Sequence, residues 1–272
     1  MFVLKRLTVF VLVALILSCE DVIQVDLPSS EPKLVIDALI GYNENNGEPI
    51  TVGQVELTLT TPFFEEENPP AENATVSIID EETGEIFQLF ENEPGVFRTG
   101  FPDLQFGRTY TLVVLYQGET FIATEQLSPS PVIDNVEQGD GFLFDEDEET
   151  EVKVTFTDLP NERNHYLFSF GFDNFLVIDD DFFQNEQLTF SYFYEDVDPG
   201  DLLTITLFGI DSRFADFAEQ ALTQSGENGG GPFQTPPASV RGNIVNTTNI
   251  DNFPFGYFAL SEFDVRILTV QP

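Results

Sequence analysis

From Lys33 onward the chain is written in short runs whose apolar and polar residues alternate: Lys33–Ile40, Val52–Thr60, Ala74–Ile79, Glu85–Phe90, Tyr110–Tyr116 and Thr120–Leu127. Successive side chains of a strand point to opposite faces, so each run presents one apolar face that only a second layer can bury. Turn-forming residues separate the runs at Asn43–Pro49, Glu65–Glu72, Glu82-Thr83-Gly84 and Gln117-Gly118. The last, Tyr116-Gln117-Gly118-Glu119, predicts a tight hairpin. No helical period interrupts this half. The expectation is an all-β fold whose first domain, residues 33–128, is an immunoglobulin-like β-sandwich.

Ser128-Pro129-Ser130-Pro131 breaks the pattern, because proline cannot donate to a ladder and restricts the residue before it. A second domain, residues 131–272, is expected beyond it. Glu151–Thr157, His165–Phe172, Asn174–Ile178, Leu188–Tyr194 and Leu202–Phe208 read as strands, and Gly256–Val270 as a closing strand or hairpin. The acidic run Asp145–Glu149 reads as a solvated turn. Residues 211–223 predict one packed α-helix: Phe214, Phe217, Ala218, Ala221 and Leu222 share a face, and Asp211 or Ser212 suits the N-cap. Phe168, Phe170 and Phe172 alternate, as do Phe190, Tyr192 and Tyr194, which places each set on one sheet face in the core. The sequence thus predicts two β-sandwich-like domains, the second with one helix.

The N-terminus has a different grammar. Lys5-Arg6, an apolar run Leu7–Leu17 and Ser18-Cys19 have the layout of a secretory signal peptide, residues 1–18, and the run is too short to span a bilayer. Ile16-Leu17-Ser18-Cys19 resembles the bacterial lipobox, which makes Cys19 the expected lipidation site. Residues 19–32 then form an acidic tether, and Glu20-Asp21 behind the cysteine resembles the surface-export signal of Bacteroidota lipoproteins. The expected localisation is the outer membrane, held by lipid, with the cell-surface or periplasmic face left open. Cys19 is the single cysteine, so stability rests on a hydrophobic core and not on disulfides.

Composition sets further bounds. An apolar content of 42%, including 29 Phe, marks a globular chain and not a disordered acidic tail. The formal charge is −38, and loss of Lys5 and Arg6 would take the bases from 10 to 8 while leaving all 48 acids. That field repels phosphate backbones, so no nucleic-acid partner is expected. It also disfavours broad electrostatic docking on anionic lipid, leaving acyl chains as the anchor. Solubility accounts for the charge, with attraction of cations or a basic partner as the alternative.

Residues suited to catalysis are few. His165 is the only histidine, and no Gly-x-Ser-x-Gly elbow accompanies it. One histidine and one lipidated cysteine cannot make a zinc site. Gly229-Gly230-Gly231 is not followed by the lysine of a phosphate loop. The chain is therefore read as no enzyme, without catalytic or cofactor-binding residues. Oxygen-rich turns could hold Ca²⁺, and Asp179, Asp180 and Asp181, together with Asp196, Asp198 and Asp201, are the candidates. Neither set follows an EF-hand.

Taken together, Cys19-Glu20-Asp21-Val22 leading into Leu34-Val35-Ile36-Asp37-Ala38, the joint Pro131-Val132-Ile133-Asp134 and an ordered tail resemble a known family. In the tail the helix is followed by Pro232-Phe233, Pro236-Pro237-Ala238, Gly242-Asn243-Ile244 and Gly256-Tyr257-Phe258-Ala259. The chain resembles the Bacteroidota outer-membrane lipoproteins catalogued as domain of unknown function 4249. It departs from them in lacking tryptophans near the late strand and in its acidity. The resemblance implies a lipoprotein encoded near a TonB-dependent transporter, with no established reaction. The expected function is a non-catalytic accessory, for ligand capture or gating, of such a transporter. A surface adhesin or structural envelope protein is the alternative, and a secreted hydrolase working through His165 or a carboxylate pair is a third. Expected contact regions are Asp179–Asp181, Asp196–Asp201 and the Gly226–Pro237 loop, while Gly242–Ile244 and Gly256–Phe258 are read first as structural turns.

Overall fold

Alternation in the sequence becomes alternation in burial. The computed structural model describes residues 31–45, 48–62, 67–144, 149–225 and 239–272. The expected signal peptide, Cys19 and the tether as far as Ser30 lie outside these residues, as do most of the Asp145–Glu149 run and the segment 226–238. The first half contains β1 (Leu34–Asn45), β2 (Glu48–Gly53), β3 (Val55–Leu59), β4 (Thr75–Asp80), β5 (Ile86–Gln88), β6 (Phe90–Glu93), β7 (Val96–Thr99), β8 (Thr109–Tyr116) and β9 (Glu119–Gln126). The second half contains β10 (Ile133–Gln138), β11 (Glu149–Thr157), β12 (His165–Ser169), β13 (Phe175–Asp179), β14 (Gln187–Glu195) and β15 (Leu202–Ile210). Helix α1 (Ser212–Ser225), β16 (Val245–Asn246) and β17 (Phe255–Thr269) follow. The all-β expectation holds, with one helix among the described residues.

Two cores lie on one large sheet, whose order is β13-β12-β15-β17-β1-β3-β7-β6 with β2 beside β1. Over its β1-β3-β7-β6 part lies the sheet β16-β9-β8-β4-β5, and over its β13-β12-β15 part the sheet β10-β11-β14. In β1, Leu34, Ile36, Ala38, Ile40 and Tyr42 point into the first core, where they meet Leu112 and Val114 of β8 and Phe121 of β9. Each such side chain, fully buried, contributes about 1.5–3 kcal/mol. The hairpin foreseen at Tyr116–Glu119 joins β8 to β9, with φ of +48° at Gln117 and +83° at Gly118, as a type I′ turn requires. Val52–Thr60, read as one strand, is two: β2 and β3 separate at Gln54.

The second core is aromatic. Phe156 packs edge-on against Tyr166 at 5.3 Å between ring centroids, and Phe170 stacks on Tyr192 at 3.8 Å. Phe168 and Phe170 are fully buried as the alternation predicts, but Phe172 is 76% exposed. The strand has ended by then: β12 stops at Ser169, and Gly171, Phe172 and Asp173 all have positive φ in the turn to β13. A period-2 pattern orients side chains only while the chain stays extended.

β17 connects the two cores. Its residues Phe255–Glu262 pair in parallel with β1, and Phe263–Thr269 pair antiparallel with β15. Accordingly Phe258 and Leu260 complete the first core, whereas Leu268 packs on the second. The Pro-rich joint is tied to the same strand, since Ser128 N–H donates to Leu260 O at 2.9 Å and Glu262 N–H to Ser128 O at 2.8 Å. Residues Pro32–Pro272 pack as one unit.

Candidate functional site

The outer face of β1 and β17 carries Val35, Asp37 and Leu39 and, opposite them in register, Phe255, Tyr257 and Ala259. Helix α1 lies over this face. It starts where Asp211 Oδ1 accepts the backbone N–H groups of Arg213 (2.7 Å) and Phe214 (2.9 Å), an N-cap worth roughly 1 kcal/mol. Phe214 and Phe217 then set their rings 4.8 and 5.0 Å from that of Tyr257. Farther along, α1 presents the small side chains of Ala218 and Ala221. A cavity of about 710 Å³ opens there, walled by Val35, Leu39, Leu167, Phe217, Leu222 and Ala259. Its polar features are few. Asp37 is solvent-exposed on the wall but hemmed in by protein, and this loss of hydration, with the Glu56 charge beside it, raises its carboxyl above the usual range.

The first turn of α1 borders a second, polar cavity of about 480 Å³, lined by Thr109, Thr124, Glu125, Gln126, Asp211 and Arg213. Glu125 occupies an inward position of β9, after Phe121 and Ala123, and is 7% exposed. Asn243 Nδ2 donates to it at 2.6 Å and to Phe258 O at 2.8 Å, while Asn243 Oδ1 accepts from Phe258 N–H. Burial pushes the Glu125 carboxyl up to about 7. The Asn243 bond opposes that shift, and the neighbouring Asp211 carboxylate, which also shares a hydrogen bond with Glu125, adds to it. Among the described residues the Tyr257 hydroxyl finds no hydrogen-bond partner; burial, then the charges of Asp211 and Glu125, hold it protonated. Tyr257 thus spans both environments, its ring on the apolar cavity and its hydroxyl toward the acid pair.

The two glycine motifs of the tail are explained by close packing. A Cβ on Gly242 would sit 1.7 Å from the Gly256 carbonyl oxygen, and one on Gly256, whose φ is +93°, would sit 2.0 Å from that of Ile36. No side chain fits between these three backbones. Gly242-Asn243 and Gly256-Tyr257 are therefore brought together, and they position Asn243 on Glu125 and Tyr257 under α1.

The other expected site residues lie elsewhere. His165 opens β12, half-buried, across from Asp179 and Ile210 in the ladder. Asp179 ends β13; Asp181 N–H donates to its carboxylate at 3.1 Å, and Arg163 pairs with Asp181 at 2.8 Å. Asp180 is buried. Asp196, Asp198 and Asp201 sit in the β14–β15 turn, where Asp201 Oδ2 accepts Asp198 N–H at 2.9 Å. The two aspartate sets occupy separate turns. Among the described residues, no three His, Cys, Asp or Glu side chains converge as a metal-binding group. Glu125 escaped the sequence reading, although a glutamate in the apolar register of Phe121, Ala123 and Leu127 is the signal that marks it.

The family model described as "Domain of unknown function (DUF4249)" matches residues 20–266, nearly the whole chain beyond the apolar leader. The chain belongs to that family. A comparison with curated proteins finds no match. Among solved structures, a cytokine receptor complex is similar at 11% identity and a TM-score of 0.25, over 65% of this chain and 83% of that one. The FN1–FN3 domains of chicken CNTN1 give 14% and 0.22, over 68% and 64%. The chicken interferon gamma receptor alpha chain gives 9% and 0.18, over 67% and 90%.

Proposed function

We propose that this DUF4249 protein is a non-catalytic, lipid-anchored outer-membrane protein that captures a small apolar ligand as an accessory of a TonB-dependent transporter. The observation carrying the ligand half is the cavity between α1 and the β1–β17 face. Its volume of about 710 Å³ lies within the roughly 300–1,000 Å³ typical of small-molecule sites, and its walls are mostly apolar with a few polar groups to orient a guest. The polar groups beside it already have structural duties: Asp211 caps α1, and Glu125 is bonded by Asn243. That favours binding over chemistry.

The anchor and partner rest on Cys19 and on the family resemblance. Native membranes solubilised in mild detergent, with the tagged full chain as bait, test the partner. A β-barrel transporter recovered at near-equal amounts is the expected result, and repeated recovery of the lipoprotein alone would refute the accessory role. Cys19→Ala is expected to move the protein to the soluble fraction and to abolish fatty-acid labelling.

A further inference from the structure

Among the described residues, Asp37 is the one charged side chain on the wall of the cavity under α1. β1 buries Ile36 and Ala38 in the first core, so Asp37 takes the outward position between Val35 and Leu39. Its neighbours in register are Tyr257 on β17 and Glu56 on β3. Facing side chains of an antiparallel pair stand about 5 Å apart, where like charges repel. Lost hydration, then the Glu56 charge, disfavour the ionised Asp37 carboxyl, and among the described residues no cation acts on it.

The chain has no base to spare for this carboxylate. The 8 bases that follow Arg6 all lie among the described residues, and each is engaged elsewhere. Arg98, Arg108, Lys153, Arg163 and Arg266 form ion pairs with other acids. Arg98, which reaches Gln54 beside β3, is held by Glu93 at 2.7 Å and by Gln54 Oε1 at 3.0 Å. Lys33 and Arg241 lie against the ring of Phe253, 4.1 and 3.5 Å from its centroid. Arg213 borders the polar cavity with Asp211 and Glu125.

The rest of the wall suits an organic cation and not a bare metal ion. Beyond Asp37 and Tyr257, its polar side chains are Gln224 and Ser239, too few oxygens for a metal shell. Aromatic rings are plentiful instead, from Phe175, Phe214, Phe217, Phe255 and Tyr257. Pairing in register sets Tyr257 one strand spacing, about 4.8 Å, from Asp37. A carboxylate beside aromatic faces attracts an ammonium group twice, by its charge and by the ring quadrupoles. The charge of the whole chain acts in the same direction, since 48 acids against those 8 bases draw cations toward it.

We propose, on the reading of the space under α1 as a small-molecule site, that its preferred guest is a lipophilic amine. The protonated nitrogen lies against Asp37 and the Tyr257 ring, and the hydrocarbon body fills the apolar space between α1 and the β1–β17 face. A neutral apolar molecule of the same size enters the same space and binds more weakly, because it leaves the carboxylate without a counter-charge.

Octylammonium, 1-octanol and octanoate share one hydrocarbon chain and differ in the charge of the head. The test is their displacement of N-phenyl-1-naphthylamine, a neutral fluorophore, from the full chain in mild detergent, compared at equal free concentration. At about pH 7.5 an alkylamine is protonated, as Lys is. Octylammonium is expected to displace the fluorophore at about one-tenth the concentration of octanol, with octanoate the weakest of the three. Asp37→Asn keeps the size of the side chain and relieves the repulsion with Glu56. It is expected to bind the fluorophore and octanol as the wild type does and to lose the preference for the ammonium head. Fluorophore binding by a wild type that prefers octanol or octanoate, or that does not discriminate, would overturn the amine assignment alone. So would an ammonium preference that survives in Asp37→Asn. Absence of saturable fluorophore binding by the wild type would overturn the small-molecule reading, and the amine with it.

Discussion

Glu125→Gln isolates the electrostatics of the buried acid pair. The Glu125 carboxyl moves from an ordinary 4.5 to about 7 in the fold. A raised acid binds more protons folded than unfolded between those values, so its contribution falls as pH rises through that window and is at its most unfavourable above pH 7. At 1.36 kcal/mol per pH unit the full effect is about 3 kcal/mol, of which some 2–3 kcal/mol develops between pH 5 and pH 8. Glutamine keeps an oxygen for Asn243 and offers Asp211 a donor in place of a repelling charge. Melting curves of wild type and variant should therefore nearly coincide at pH 5 and part by about 5–10 °C at pH 8, with the variant higher. Other perturbed acids, such as Asp37, Glu262 and Asp134, titrate alike in both proteins and cancel in the difference. Parallel curves across this range would refute the assignment of a raised, buried carboxyl to Glu125.

Gly242→Ala places a methyl 1.7 Å from a backbone oxygen that cannot retreat without displacing β17. It should cost about 3 kcal/mol or more by chemical denaturation, although the residue touches no ligand. Phe168→Ala removes a fully buried ring that contacts Phe156, Phe170 and Phe190. A loss of about 3–5 kcal/mol is expected, read as a lower denaturation midpoint with an unchanged slope.

Much of this fold is legible in the sequence because its strands are half-buried, and half-burial writes a period of two. KLVIDALI, YTLVVLY and TFIATEQL each give a strand whose inward residues can be named in advance. Helix α1 is legible for the same reason at period 3.6, and Asp211 as its cap. Among the strands that escape notice, β2 is almost wholly exposed and contains Pro49, β6 is exposed along its length, and β7 and β10 each bury one apolar side chain fully, Phe97 and Ile133, too few to write a period. Phe172 was misplaced because the turn at Gly171–Asp173 ends the period that the aromatics continue. Pairing across the chain is not legible at all, since nothing local tells β17 to divide itself between β1 and β15. For that reason the cavity and the Glu125–Asp211 pair emerge only in three dimensions: Glu125, Asp211, Asn243 and Tyr257 are distant in sequence and are gathered by β17. Glycine motifs advertise that something passes close to them, but not that Gly242 and Gly256 pass close to each other.

The central claim is that the space under α1 receives a small apolar molecule, and a neutral apolar fluorophore tests it most directly. N-phenyl-1-naphthylamine titrated into the full chain is predicted to bind at one saturable site. Ala221→Phe, which extends a ring from α1 into the cavity, is predicted to weaken that binding at least about tenfold, a loss near 1.4 kcal/mol. Ile250→Ser, at a surface position 80% exposed and outside the cavity wall, is predicted to leave it unchanged. No saturable binding by the wild-type chain, or equal affinity in a folded Ala221→Phe protein, would contradict the account.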